Sequence, residues 1–234
     1  MQQQTSEQLR IWFRNVEPIY AELFNAAHAM CGNYDLAEFA LRSAILEVWL
    51  QNVSGGMGFR ERLRSALRQA ALEAALGEDA HGAEFTWPGV ADPRGDDPIL
   101  SQIAQERVDI QRLAVLRHGC GLSVRMIAQL TGLSQAQVRG ELNRLESRCR
   151  RRLTGQDRAR AEALIAKRLK KWLARGGSGV PQVSQVYRAF EAEADGTAVT
   201  GHRLSRALGR VVLALLALAC AGAFWLFAVL VTPG

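Results

Sequence analysis

Cysteines in zinc or dithiol spacing are missing from this chain. Cys31, Cys120, Cys149 and Cys220 stand far apart, which excludes a C-x-x-C redox pair and a local zinc knuckle. His28, His81, His118 and His202 have no sequence neighbours arranged as ligands or as a catalytic triad. Ser54-Gly55-Gly56-Met57-Gly58 is glycine-rich but lacks the Lys and Ser/Thr of a phosphate loop. Asp92, Asp96 and Asp97 do not match a calcium loop. No enzyme, cofactor or metal is therefore expected. Polar Gln2, Gln3 and Gln4 stand where a secretory signal needs an apolar core, so reduced cysteines in a cytoplasmic domain are expected. Proline is scarce, with 6 in 234 residues, and aromatics are 7%. Ala, Leu and Arg recur instead, which favours helix over sheet and predicts an all-α fold.

The net charge of +6 is unevenly spread. Residues 1–104 carry 8 basic and 14 acidic side chains, residues 105–176 carry 17 and 6, and residues 177–234 carry 4 and 3. An acidic half followed by a strongly basic segment points to a polyanion partner for the second part, or to a solvated basic face. Residues 211–231, VVLALLALACAGAFWLFAVLV, hold no charge over 21 positions. At about 1.5 Å per residue that run spans roughly 30 Å, a bilayer core. His202, Arg203, Arg206 and Arg210 precede it, and Thr232, Pro233 and Gly234 follow. The positive-inside rule then predicts a single-pass anchor in the cell membrane with the N-terminal domain in the cytoplasm.

Helical periodicity divides the rest. Leu23, Ala26, Ala27, Met30 and Cys31 share one spacing, and Phe39, Ala40, Ile45, Val48 and Trp49 share another, with a turn at residues 31–35 between them. Phe59, Leu63, Leu67 and Ala71 mark a third helix, so residues 6–76 read as one helical module. Residues 77–98 hold three prolines and six acidic residues and read as a flexible acidic linker. Residues 99–153 are helical again. Residues 154–210 read as a basic amphipathic helix at 157–175, with Ile165, Leu169 and Trp172 on one face, and then a spacer with one short helix around 183–194.

The most informative stretch is residues 122–145, LSVRMIAQLTGLSQAQVRGELNRL. Ser123 and Ser134 can each cap a helix. Ala128 is small where two helices cross, Gly132 suits a turn of positive φ, and Val138 packs back on the first helix. That order of small residue, turn glycine and β-branched residue is the spacing of a DNA-binding helix-turn-helix, and an ordinary αα-hairpin is its plain alternative. Gln135, Gln137 and Arg139 open the second helix, where Gln can read adenine and Arg can read guanine. Arg144, Arg148, Arg150, Arg151 and Arg152 follow, placed for phosphates.

These elements carry a family resemblance. Residues 105–153 resemble region 4 of sigma-70 family factors, the small extracytoplasmic-function group especially. The match rests on Gly121-Leu122-Ser123, Ile127-Ala128, the G-x-S of Gly132 to Ser134, Val138, the L-x-R of Leu142 to Arg144, and the arginine run to Leu153. In that family the module binds the −35 promoter element with its second helix in the major groove. The resemblance makes Ser123, Arg125, Ser134, Gln135, Gln137, Arg139, Asn143, Arg144, Arg148, Arg150 and Arg151 the candidate DNA contacts. The N-terminal part resembles region 2 through Gly32, Ala37, Glu38, Leu46 and Trp49, then Phe59, Leu63, Arg68 and Ala74. Region 2 binds the polymerase clamp and melts the −10 element, which makes Glu38, Arg42, Glu47 and Trp49 candidate polymerase contacts. Leu36, Phe39, Arg42 and Ser43 replace the family's acidic and glutamine residues on the clamp-binding helix. Arg62 replaces a tryptophan, Gln69 an asparagine, and Gly77-Glu78-Asp79 a basic run, so docking on the core polymerase is expected to be weakened.

The sequence thus predicts a membrane-tethered sigma-like initiation factor with two small helical modules and one transmembrane helix. Its expected partners are duplex promoter DNA, the RNA polymerase core and the cytoplasmic membrane, with a regulatory protease or an anti-sigma-like protein as a releasing partner. The first alternative is a single-pass membrane DNA-binding regulator whose sigma-derived fold no longer supports initiation. The second is a membrane-bound interaction protein whose arginine-rich helices bind anionic lipid or a partner protein.

Overall fold

The computed structural model describes residues 2–51, 58–92, 95–175 and 180–194. Helices form throughout them, and no strand is present among the described residues. The first helices are α1 (Gln2–Phe13), α2 (Tyr20–Cys31), α3 (Tyr34–Leu50) and α4 (Phe59–Leu76). Next come α5 (Pro98–Ala104), α6 (Val108–Ala114), α7 (Val124–Thr131) and α8 (Gln135–Arg152). The last are α9 (Gly155–Ala159), α10 (Ala161–Ala174) and α11 (Val183–Ala194).

Local signals set the turns. Gly32 closes α2 in the left-handed region, φ 67°, with its N–H on the His28 carbonyl. Asn33 then caps α3, its side chain accepting from the Leu36 N–H at 2.9 Å. The face that α2 buries, Tyr20, Leu23, Phe24, Ala27 and Met30, meets Ala37, Leu41, Ala44, Ile45 and Val48 of α3 and Leu63, Leu67 and Ala71 of α4. The fully buried alanines let the axes approach closely, and each large side chain removed from water contributes ~1.5–3 kcal/mol. On α1, Trp12 packs edge-on against Trp49 at 5.3 Å and Phe59 at 5.5 Å, and Phe13 against Tyr187 of α11.

Residues 6–76 and 99–153, read from sequence as two modules, lie in one compact unit running from Gln3 to Tyr187. Arg112 of α6 reaches the end of α2, where Nε donates to the Ala29 carbonyl and Nη2 to the Met30 carbonyl, both at 2.7 Å. Helix α10 lies against α2, α8 and the π-helical turn at Val115–Gly119. Asn25 of α2 donates to the Leu173 carbonyl at 2.8 Å, satisfying an end group of α10. Gly119 permits this approach, because a Cβ there would stand 2.9 Å from Leu173 Cδ1. The expected basic helix at 157–175 is broken at Arg160, and its buried face is Ala161, Ile165, Leu169 and Leu173, with Trp172 half-buried.

The segment 77–98 corrects the expectation of a flexible linker. Trp87 and Val90 are buried. The Thr86 N–H donates to the Gly32 carbonyl at 2.8 Å, and Asn33 Nδ2 to the Glu84 carbonyl at 2.9 Å. Phe85 lies under the Arg112 guanidinium, 5.3 Å away. Two of its acidic residues are also engaged. Asp97 caps α5 and pairs with Arg168 of α10 at 3.1 Å, and Asp92 accepts from Ser101 Oγ and the Asp97 N–H. Proline, glycine and aspartate here supply turn and cap chemistry, and the result is a strap.

Among the described residues no helix is long and apolar enough to cross a membrane. Residues 211–231 lie outside the described residues, as do residues 195–210.

Gln111 holds the middle of the strap. Buried in α6, it accepts from the Val90 N–H at 2.7 Å and donates to the Glu106 and Ala104 carbonyls at 2.7 and 3.2 Å. Gln111→Leu strands these groups and is expected to cost about 2–3 kcal/mol. A thermal melt should show the midpoint falling by roughly 4–12 °C for a unit of this size. An unchanged midpoint would mean that the strap does not depend on this side chain.

Candidate nucleic-acid interface

Helices α7 and α8 form the helix-turn-helix pair where the spacing places it. Ser123 caps α7, its Oγ accepting from the Met126 N–H. Gly132 ends α7 at φ 71°, ψ 3°. Ser134 opens α8 in a reciprocal capping box, in which its Oγ accepts from the Gln137 N–H and Gln137 Oε1 accepts from the Ser134 N–H. Ile127 of α7 and Val138, Leu142 and Leu145 of α8 are buried.

At 100° per residue the outward arc of α8 has a definite order. Its centre holds small side chains, Ala136, Gly140 and Ser147. One flank carries Gln135, Arg139, Asn143 and Arg150, and the other carries Arg144 and Arg151. All six flank residues are exposed. A ridge of small residues between two polar rows lets a helix axis approach an extended surface closely while long side chains reach to either side. Ser123, Arg125 and Ser134 are exposed at the starts of α7 and α8. Asn143, Arg144, Ser147, Arg148 and Arg151 line a shallow depression on this side.

The structure divides the eleven candidates. Arg148 is half-buried and its Nε and Nη2 grip the Glu106 carboxylate at 2.7 and 2.8 Å, which ties α8 to the end of α5. The Gln137 side chain is taken up by its cap. Arg144 pairs with Glu141 one turn back, at an exposed site where such a pair contributes little. Sequence reasoning missed the commitments of Arg148 and Gln137. The Ser-x-x-Gln box was legible in the sequence, whereas the partner of Arg148 lies 42 residues away and left no local signal.

The four polymerase candidates on α3 do not form one cluster. Glu38, Arg42 and Trp49 fall within about 40° of each other around the helix, and Glu47 lies about 180° from Glu38. Trp49 is engaged with Trp12, and Glu47 accepts from Gln51 Nε2. Phe39, Leu46 and Leu50 run along the outer side of α3, with Leu50 59% exposed.

Sequence also missed a second constellation. His118 of the π-helical turn, Glu146 of α8 and Glu162 of α10 bring their ligand atoms within 4.8 Å of one another. Burial pushes the His118 imidazole down to about 4, Glu162 opposes the shift and Arg117 adds to it, so the ring is neutral at pH 7. Burial raises Glu146 above the usual carboxylate range. Burial likewise pushes the thiols of Cys31 and Cys120 up to about 12 and that of Cys149 to about 11, which leaves them protonated.

No family model, no curated protein and no solved structure matches the chain.

Two glycines of the pair should respond oppositely. Gly132→Val forces a β-branched residue to positive φ at an otherwise open site, and is expected to cost about 1–3 kcal/mol. Gly140→Ala places a better helix former inside α8 with nothing within 4 Å of the new methyl group, and is expected to add about 0.5–1 kcal/mol. Urea unfolding followed by circular dichroism measures both. Equal midpoints would place the turn elsewhere.

Proposed function

We propose that this chain is a membrane-tethered, sigma-like transcription factor that binds promoter DNA through α7 and α8. The observation that carries the reading is the outward arc of α8, a small-residue ridge between two exposed polar and basic rows, behind a capped turn. Duplex DNA is the polyanion whose major groove admits one α-helix. On this reading Gln135 and Arg139 read base edges near the helix start. Arg144, Arg150 and Arg151 contact phosphates, with Asn143 between them. Ser123 and Ser134 orient the helix N-termini toward the backbone, and Arg125 adds charge on α7. The α3 surface with Glu38 and Arg42 docks weakly on the polymerase core, without Glu47, which lies on the opposite side of the helix. The apolar run at 211–231 holds the chain in the cell membrane with its soluble mass in the cytoplasm, and the protein performs no chemistry of its own.

A specific observation favours the second reading, a DNA-binding regulator that does not support initiation. An initiation factor spans the −35 and −10 elements, which lie roughly 85 Å apart at about 3.4 Å per base pair. A compact unit of this length has a radius of gyration near 16 Å, by the usual scaling of about 2.2·N^0.38. Arg112, the strap and α10 hold both halves in that one unit. Run-off transcription with core polymerase separates the readings: a product assigns the initiation factor, and DNA binding without product assigns the regulator.

The basic rows give a sharper test. Replacing Arg144, Arg150 and Arg151 by Ala is expected to weaken binding to every duplex and to flatten the slope of log K against log salt by about 0.9 for each phosphate no longer neutralised. Arg148→Ala should instead lower the melting midpoint, since it strands Glu106. Arg139→Ala should relax sequence preference at one position by about 1–3 kcal/mol. Fluorescence anisotropy over a salt series reads the binding changes, and a thermal melt reads the Arg148 effect. A slope that the triple replacement leaves unchanged would remove α8 from the DNA.

A further inference from the structure

We propose that His118, Glu146 and Glu162 bind one divalent transition-metal ion, of the zinc type, that staples the π-helical turn, α8 and α10 together. The His118 side chain is only 3% exposed, and its Nε2 is a buried ring nitrogen without a hydrogen bond. It stands 3.2 Å from Glu146 Oε1, close in distance but without acceptable geometry. A buried polar atom left in that state costs about 1–3 kcal/mol. A neutral imidazole with a free nitrogen is the form that ligates metals.

The rest of the donor set fits. Ligands at about 2.0–2.2 Å from a tetrahedral ion lie about 3.3 Å apart. The His118–Glu146 separation already matches. The three ligand atoms lie within 4.8 Å of one another, so closure needs only a small movement of Glu162, which is exposed and free to adjust. Three protein ligands leave one position for water. Arg117 and Arg150 act on Glu146, and two guanidiniums so near disfavour loose attraction of any cation. Binding must come from inner-sphere bonds, which favours a metal with affinity for imidazole over magnesium or calcium. The ligands come from three elements far apart in sequence, so a bound ion would fix their packing. His118 is buried within the π-helical turn, an uncommon conformation that recurs at functional sites.

The test uses the untagged full chain in mild detergent, stripped of metal and titrated with cobalt as a visible probe and zinc as competitor. One cobalt per chain is expected, with weak visible bands and displacement by one zinc. His118→Gln and Glu162→Gln should each lower affinity about tenfold or more, since even outer partners of metal ligands act on that scale. Glu162 is exposed, so Glu162→Gln should keep the far-ultraviolet helical signal while losing the rise in melting midpoint that zinc gives the parent. Absence of one-to-one binding overturns the proposal, as does parental affinity in both variants. A strong near-ultraviolet thiolate-to-cobalt band would also overturn it, by placing the metal on cysteine.

Discussion

A half-buried guanidinium, that of Arg112, sits at the junction of the two halves of the described unit. Arg112 projects from α6 into the end of α2, and its two hydrogen bonds to α2 go to carbonyls that the helix itself cannot satisfy. Moving a cation out of water costs several kcal/mol. Burial accordingly lowers the Arg112 pKa from its usual range. Three terms offset that cost. Charge-assisted bonds to two carbonyls contribute about 1.5–3 kcal/mol each. The negative end of the α2 dipole adds up to ~2 kcal/mol in a partly buried geometry, and the Phe85 face adds about 0.5–2 kcal/mol. The neighbouring Cys31 thiol is protonated and supplies no counter-charge. The site is therefore balanced by dipoles, and it exists only when α2, α6 and the strap are all in place.

That dependence orders the rest of the unit. With α6 tied to α2 through Arg112, the π-helical turn that follows is carried against α2, and α10 packs beside both. Helix α10 then meets α8 from behind. The outward arc of α8 is thus supported by a chain of contacts that begins at the N-terminal bundle. Support of this kind suits a recognition surface, because a rigid base spares the entropy of ordering it on contact.

How much of this could be read from the sequence depended on distance along the chain. The turn of the helix pair was legible, since Ser123, Gly132 and Ser134 act within three or four residues and occupy their expected places. The short helix expected near 183–194 is also there. The strap was misread because the same prolines, glycines and aspartates describe a free linker or a set of caps. Partners far along the chain decide between them, such as Gln111, 21 residues beyond Val90, Arg168, 71 beyond Asp97, and Asn33, 51 before Glu84. The DNA candidates were found by type and position, but the commitment of Arg148 to Glu106 was hidden by a separation of 42 residues. The cluster of His118, Glu146 and Glu162 left no signal, because its members share no spacing that the sequence could display.

The charge asymmetry takes on a different meaning beside these pairs. Segment 105–176 carries 17 basic side chains, but Arg112, Arg148 and Arg168 face inward partners, and Arg148 and Arg168 pair with the acids Glu106 and Asp97. The Arg168–Asp97 pair thus joins the basic segment to the acidic half inside one unit, whereas Arg148 and Glu106 neutralise each other within the basic segment. This matters for a chain held at a bilayer by residues 211–231, as the proposed function has it. The apolar face of α10 is consumed by the core and cannot insert among lipid tails. On α10, Lys167, Lys170 and Lys171 are exposed and can face anionic headgroups, worth about 1 kcal/mol each near the surface. Those lysines lie on α10, whereas the exposed arginines lie on α8, so lipid and DNA would draw on different charges. A duplex could then engage α8 while the membrane holds α10, and the tether would confine DNA binding to the membrane surface without competing for it.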